Sequence, residues 1–187
     1  MIRAAFVLAL ALVAASCSSG MSPADYASAM EAHVDAYVTE SQDLSFDYQR
    51  GVIDEVRRVV AADGANPETE AAAIMRRGTI EYLALLSDAI DRYLAALREL
   101  SPPGSVSEAH AEYIAAIQAS RDAIPATRDA VEAASDLAEL QLALTASGFA
   151  DSQLRWTAAC TSLEQAVRGA GRGLNLRCTR STVGVGP

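Results

Sequence analysis

The sequence predicts an all-α protein: an up-down-up-down four-helix bundle of long helices, with a proline kink in the third and a short, disulfide-tethered extended hook at the C-terminus. Three observations predict it. Of 187 residues, 51% are hydrophobic but only 5% aromatic, and Ala, the strongest intrinsic helix former, supplies roughly a fifth of the chain. Apolar residues recur at three-and-four spacing through long segments, and no strand-like alternation of any length precedes residue 174. Three polar connections bearing Pro or Gly separate these segments, which favours antiparallel neighbours. A chain of this length fits one domain with a sizeable core.

Residues 1–16 read as a secretory signal, Arg3 followed by an apolar run from Ala4 to Ala15. That run falls short of the ~20 residues needed to cross a bilayer. Ala14-Ala15-Ser16-Cys17 resembles the lipobox of bacterial lipoproteins, with Ala14 where Leu is usual. The resemblance implies cleavage before Cys17 and diacylglycerol on its thiol. A second acyl group is needed for firm anchoring, because one chain binds a membrane only marginally. Residues 17–22 then read as a lipidated, flexible tether.

The helical domain spans 23–178. Ser22-Pro23 supplies a capping hydroxyl and a proline suited to the first helical position, with Asp25 in the first turn. The apolar stripe of the first helix runs Tyr26, Met30, Val34, Tyr37, Leu44, Tyr48, Val52, Val56 and Val59, with Ser41 in the one vacant position, and Gly51 weakens it. Asn66-Pro67-Glu68 starts a second helix carrying Met75, Tyr82, Leu83, Leu86, Ile90, Tyr93, Leu94 and Leu97, which stops at Ser101-Pro102-Pro103-Gly104. Ser105 and Glu108 have capping-box spacing, so a third helix begins there and buries His110, Tyr113, Ile114, Ile117 and Ile124. Pro125 interrupts it, and the pattern resumes through Val131, Leu137, Leu140 and Leu144, as in a kinked helix. After Ser147-Gly148 the last helix shows Phe149, Trp156, Cys160, Leu163 and Val167. At 1.5 Å per residue the first and third segments run ~60 Å and the fourth only ~30 Å, a shortfall that leaves room for an apolar groove. The in-helix pairs Asp54–Arg58, Asp88–Arg92, Asp151–Arg155 and Glu164–Arg168 read as solvated faces.

Of three cysteines, lipidation takes Cys17, and export favours a disulfide between the remaining two, Cys160 and Cys178. Their geometry permits it. A helix rising ~15 Å from Cys160 to Ala170, a reversal through Gly169, Gly171 and Gly173, and ~16 Å of extended chain from Leu174 return the second sulfur to the first. Alternation puts Leu174, Leu176 and Cys178 against the helix and Asn175 and Arg177 outward. Residues 179–187 read as a flexible tail. The run Phe149, Trp156, Ala159-Cys160, Leu163-Glu164, Ala166 and Leu174-Asn175-Leu176-Arg177-Cys178, with Pro102-Pro103 and His110 upstream, resembles poorly characterised envelope lipoproteins of high-GC bacteria. In those proteins a Gly often stands where this chain has Arg177, and a Gln where it has Glu164. The resemblance implies a fold and a location but no catalytic residue.

The composition excludes several function classes. All 15 basic residues are Arg and the formal charge is −9, so Schiff-base chemistry and a Walker-type phosphate loop are out and nucleic acid is not an expected partner. No Cys-x-x-Cys-His for covalent haem and no Gly-x-Ser-x-Gly elbow is present. The two histidines, His33 and His110, lie on the apolar stripes of helices that would run parallel, near one end. They are the candidate metal ligands, but neither stands in the Glu-x-x-His pattern of a bundle metal site, and a structural role is favoured. From Asp25 to Asp47 six acids occur without a base, whereas Arg168, Arg172, Arg177 and Arg180 follow the last acid, a polarity suited to internal pairing or a docking patch. No cofactor and no enzymatic activity are expected. The sequence points to an exported, lipid-anchored helical module on the extracytoplasmic side of the cell envelope, bound to the membrane through Cys17 and binding an envelope protein non-catalytically. The alternative is an extracytoplasmic lipoprotein that binds or senses a small ligand or metal. Trp156, on the stripe that the hook covers, is expected in the core.

Overall fold

The computed structural model describes residues 20–62, 66–146 and 148–178; the signal at 1–16, Cys17 and the tail at 179–187 lie outside the described residues. Helix α1 (Pro23–Tyr48) passes through a π-helical turn (Gln49–Ile53) into α2 (Asp54–Ala61), making one continuous rod. It is followed by α3 (Pro67–Arg98), α4 (Ser107–Ala133), α5 (Leu137–Ala146) and α6 (Phe149–Gly169). The rod, α3, α4 and α6 are the four long members, arranged so that α1 packs on α3, α3 on α4 and α4 on α6.

The stripes read from the sequence form the core. Tyr26, Met30, Val34 and Tyr37 of α1 pack with Leu86, Ile90, Tyr93 and Leu97 of α3, Tyr113 and Ile117 of α4, and Trp156, Leu163 and Val167 of α6. Ser41 holds its place in the stripe because its hydroxyl donates to the Val38 carbonyl (3.1 Å), which lets a polar residue be fully buried. At Gly51 the helix widens into the π-turn. Opposite it, a Cβ on Gly78 would lie 2.2 Å from Cγ2 of Val52, so glycine is what lets α3 approach the turn.

The start of α1 is as expected: the Ser22 hydroxyl accepts the Asp25 N–H (3.2 Å) and donates to its carboxylate (2.7 Å). Gly20 and Met21, within the expected tether, are already part of the domain. Met21 N–H donates to the Ser101 carbonyl (2.8 Å), and a Cβ on Gly20 would lie 2.5 Å from the Pro102 carbonyl oxygen. The chain therefore enters the bundle docked on the α3–α4 loop.

Two boundaries differ from expectation. The Ser105–Glu108 capping box does not form: α4 begins at Ser107, because Val106 is buried in the core and fixes the chain one step later. Pro125 lies inside α4, where it removes one backbone donor, yet the helix runs on to Ala133 and the segment parts only at 134–136. There Arg76 of α3 donates to the Ala134 carbonyl (2.9 Å). Asp136 accepts the Glu139 N–H (2.8 Å), and Glu139 reaches back to the Ser135 N–H (2.7 Å), a reciprocal cap that starts α5. Helix α5 packs on α3, α4 and α6. With Val131 and Ala134 it builds a second small core from Leu140 and Ala143, which takes up part of the shortfall left by the short α6.

The expected in-helix ion pairs give way to others. Arg92 pairs with Glu40 of α1, Asp54 with Arg57 (3.6 Å), Arg121 of α4 with Asp91 of α3 (3.0 Å) and Arg77 of α3 with Glu55 of α2 (3.2 Å). Three of these four cross between helices, where a side chain reaches a partner without folding back along its own axis. Being exposed, each is worth ~1 kcal/mol at most.

Candidate functional site: the cleft between α1 and α6

Around the bundle, α1 and α6 are the neighbours whose backbones do not pack closely. Their side chains still meet. Tyr37 of α1 stacks on Tyr93 of α3, ring centres 4.7 Å apart and planes 12° from parallel, and Trp156 of α6 lies 5.6 Å from Tyr37 and 6.5 Å from Tyr93. Tyr113 of α4 completes the wall, edge-on to Tyr93 with the two hydroxyls 2.9 Å apart. Trp156 is only 7% exposed, the core position expected of it.

This wall lines a cleft of about 230 Å³ together with Gln153, Leu154 and Thr157 of α6, the disulfide and Arg177. Burial pushes the phenols of Tyr37, Tyr93 and Tyr113 above their ordinary range; for Tyr113, hydrogen bonds from Tyr93 and Trp156 act in the opposite direction. The wall is thus uncharged at any physiological pH. Two of its polar atoms, Tyr37 Oη and Gln153 Nε2, are buried without a hydrogen-bond partner. Leu154, at 71% exposed, is the most exposed of the large apolar side chains among the described residues.

The hook closes one end of the seam. Cys160 and Cys178 are joined, their Cα atoms 5.6 Å apart. Leu174 and Leu176 are buried and Asn175 and Arg177 exposed, the alternation expected of an extended segment. The backbone is held from both sides: the Leu176 N–H donates to Glu164 of α6 (2.6 Å) and the Asn175 N–H to Glu31 of α1 (3.2 Å), while the Arg177 guanidinium lies 3.0 Å from Asp35 of α1. Here the acidic face of α1 meets a basic C-terminal residue, so part of the charge polarity is satisfied within the chain. Arg177 adopts φ 55°, in the left-handed region, and its N–H donates to the Asn175 side-chain oxygen (3.1 Å).

The histidines have separate surroundings. His110 is buried, and the Tyr26 hydroxyl meets its Nδ1 at 2.7 Å, ring edge to face. Burial pushes its pKa down, against a smaller opposing pull from the Leu97 carbonyl. His33 lies two turns along α1 from Tyr26, ~10 Å away at the helical rise, and is half-buried. Among the described residues, no group of three or more His, Cys, Asp or Glu side chains is placed to hold a metal ion, and no helix is long and apolar enough to cross a membrane.

Trp156 and the disulfide stand where the sequence predicts them, whereas Tyr37 and Gln153 were not expected beside a cleft. A signal was available: all six tyrosines fall on the predicted apolar stripes, and so many buried hydroxyls mark a core with a polar seam. Comparison of the chain with models of protein families, with curated proteins and with solved structures gives no match.

Proposed function

We propose that this protein is a lipid-anchored, extracytoplasmic helical-bundle module of the cell envelope that binds its partner non-catalytically through the α1–α6 cleft. The observation that carries the binding reading is the cleft itself: an uncharged aromatic wall, two buried polar atoms without partners and an exposed apolar rim at Leu154. Concave sites lined mainly by apolar and aromatic side chains are the usual form of a binding site. The anchoring reading rests on the Ala14-Ala15-Ser16-Cys17 motif. The docking of Gly20 and Met21 on the α3–α4 loop supports a short link, since only Ser18 and Ser19 stand between Cys17 and Gly20 and an extended chain spans ~3.5 Å per residue. Two measurements test it. Mass spectrometry of the membrane-extracted protein should find diacylglycerol on an N-terminal Cys17; an unmodified N-terminus elsewhere, with the protein free in the medium, refutes the anchor. Leu154→Asp should abolish association with the envelope component recovered by in-cell crosslinking without lowering the melting temperature; unchanged association refutes the cleft.

A further inference from the structure

We infer that the end of the bundle nearest Cys17 rests on the membrane, with Arg168 and Arg172 engaging the phosphates of anionic lipid headgroups. The inference rests on the anchoring reading and adds which face of the domain meets the lipid. Only Ser18 and Ser19 stand between Cys17 and Gly20, so Gly20 lies within ~11 Å of the lipid-bearing residue even when the link is fully extended. Gly20 and Met21 are themselves fixed on the α3–α4 loop. The C-terminus of α6 comes to the same end. Along α6, Trp156 meets Tyr37 of α1, and Glu164 meets the hook residue Leu176, whose neighbour Asn175 meets Glu31 of α1. The two helices are therefore antiparallel, and Arg168 and Arg172 lie beyond Glu164, toward the start of α1.

Both arginines are exposed, and among the described residues neither has a carboxylate within ion-pair distance. The in-helix partner expected for Arg168 is Glu164, whose Oε1 instead accepts the Leu176 N–H (2.6 Å). Arg172 sits on a fixed turn. Gly171, at φ 85°, donates to the Arg168 carbonyl (3.0 Å) and the Arg172 N–H to that of Val167 (3.2 Å), a pair of bonds that ends the helix and holds the Arg172 backbone. Among the described residues the other charged side chains at this end are Asp25 on α1, Arg98 and Glu99 after the last turns of α3, and Glu108 on α4. Arg98 reaches along α4 to Gln118 (2.6 Å), and Asp25 accepts the Ser22 hydroxyl. Charge at this end is thus divided, with acids on the α1, α3 and α4 side and bases at α6. An anionic surface draws the α6 edge toward it and repels the opposite edge, which orients the anchored domain. The acyl anchor supplies the affinity that a net charge of −9 opposes, and the arginine pair sets the orientation. Each arginine near such a surface shifts the population about fivefold.

The test uses the mature chain from Cys17, coupled through that thiol, the only one outside the disulfide, to a maleimide-bearing phospholipid in vesicles. It therefore does not depend on acylation in the cell. Modification by phenylglyoxal, followed by peptide mass spectrometry, reads the accessibility of each arginine against Arg155, which is exposed nearer the other end of α6. On vesicles rich in phosphatidylglycerol, Arg168 and Arg172 should react roughly tenfold more slowly, relative to Arg155, than on phosphatidylcholine, and high salt should restore them. Arg168→Gln should raise the reactivity of Arg172 about fivefold on the anionic vesicles, at unchanged melting temperature. Equal reactivity on the two kinds of vesicle overturns the inference, because the tether alone then accounts for the placement. Equal protection by inorganic phosphate without vesicles also overturns it, since the pair is then a simple anion site. If the coupled chain shows the protection while mass spectrometry finds no lipid on Cys17 of the protein from cells, the headgroup-binding face stands and the anchor falls.

Discussion

Replacing both Cys160 and Cys178 with Ala should release the hook while leaving the four long helices folded. The disulfide closes a loop with a sequence separation of 18, for which chain entropy predicts ~3 kcal/mol of stabilisation. Without it, holding Leu174 to Cys178 in place costs ~5 to 10 kcal/mol of backbone entropy at ~1 to 2 kcal/mol per residue. Burying Leu174 and Leu176 returns ~3 to 6 kcal/mol, and the two N–H bonds to Glu31 and Glu164 add ~1 to 3 kcal/mol. The sum lies near zero, so the bond decides whether the hook stays docked. The decisive assay is amide hydrogen exchange at Leu176, compared between the wild type and the Cys-free variant. Its protection should fall to nearly that of an open segment in the variant, while amides of Leu163 and Ile90 remain protected. The overall loss should not exceed ~3 kcal/mol, a fall in Tm of roughly 6 to 12 °C. Full protection of Leu176 in the variant would refute the reasoning, since it would mean that the contacts alone hold the hook.

Other consequences are open to simpler measurements. Trp156→Ala should destabilise the domain by ~3 to 5 kcal/mol through the cavity left beside Tyr37 and Tyr93, and native emission should be blue-shifted and poorly quenched by iodide; exposed-indole emission would contradict the packing. His110 has a lowered pKa in the fold, so the unfolded chain binds the proton first; its contribution is complete above ~6.5 and is lost as pH falls through that value toward the folded pKa. His110→Gln should therefore remove the fall in the denaturant midpoint that sets in below pH ~6.5. Arg177→Gly should relieve a left-handed φ worth ~1 kcal/mol or more and lose only an exposed ion pair. Chemical denaturation should then place it ~1 kcal/mol above Arg177→Ala, which loses the pair without relieving the backbone.

The helical stripes were legible because burial follows one face of a 3.6-residue helix, a period that survives even a polar intruder such as Ser41. The hook was legible for the same reason, in the shorter period of two. At its end Arg177 takes a left-handed φ of 55°, a conformation that glycine adopts at less cost, and no period along the chain signals it. The break at 134–136 was not read, although Asp136 and Glu139 have capping spacing, because Val131, Leu137, Leu140 and Leu144 continue in helical phase across it. The interhelical pairs Arg92–Glu40 and Arg121–Asp91 were invisible to a reading of single helices, since each depends on which helices become neighbours. So does the cleft: it exists because α1 and α6 stand apart, which no spacing along one chain segment encodes.

The central claim, that partners are bound at the α1–α6 cleft, is tested most directly by site-specific photocrosslinking in living cells. A photoreactive residue would replace Leu154 on the cleft rim and, separately, Leu142 on α5 and Val60 on α2, which are 71%, 64% and 57% exposed. These three positions are comparable in exposure and apolar character and differ in location. Binding at the cleft gives a specific adduct from position 154 and none from positions 142 or 60. Adducts from 142 or 60 with none from 154 would place the binding surface at the α2–α5 end of the bundle and contradict it.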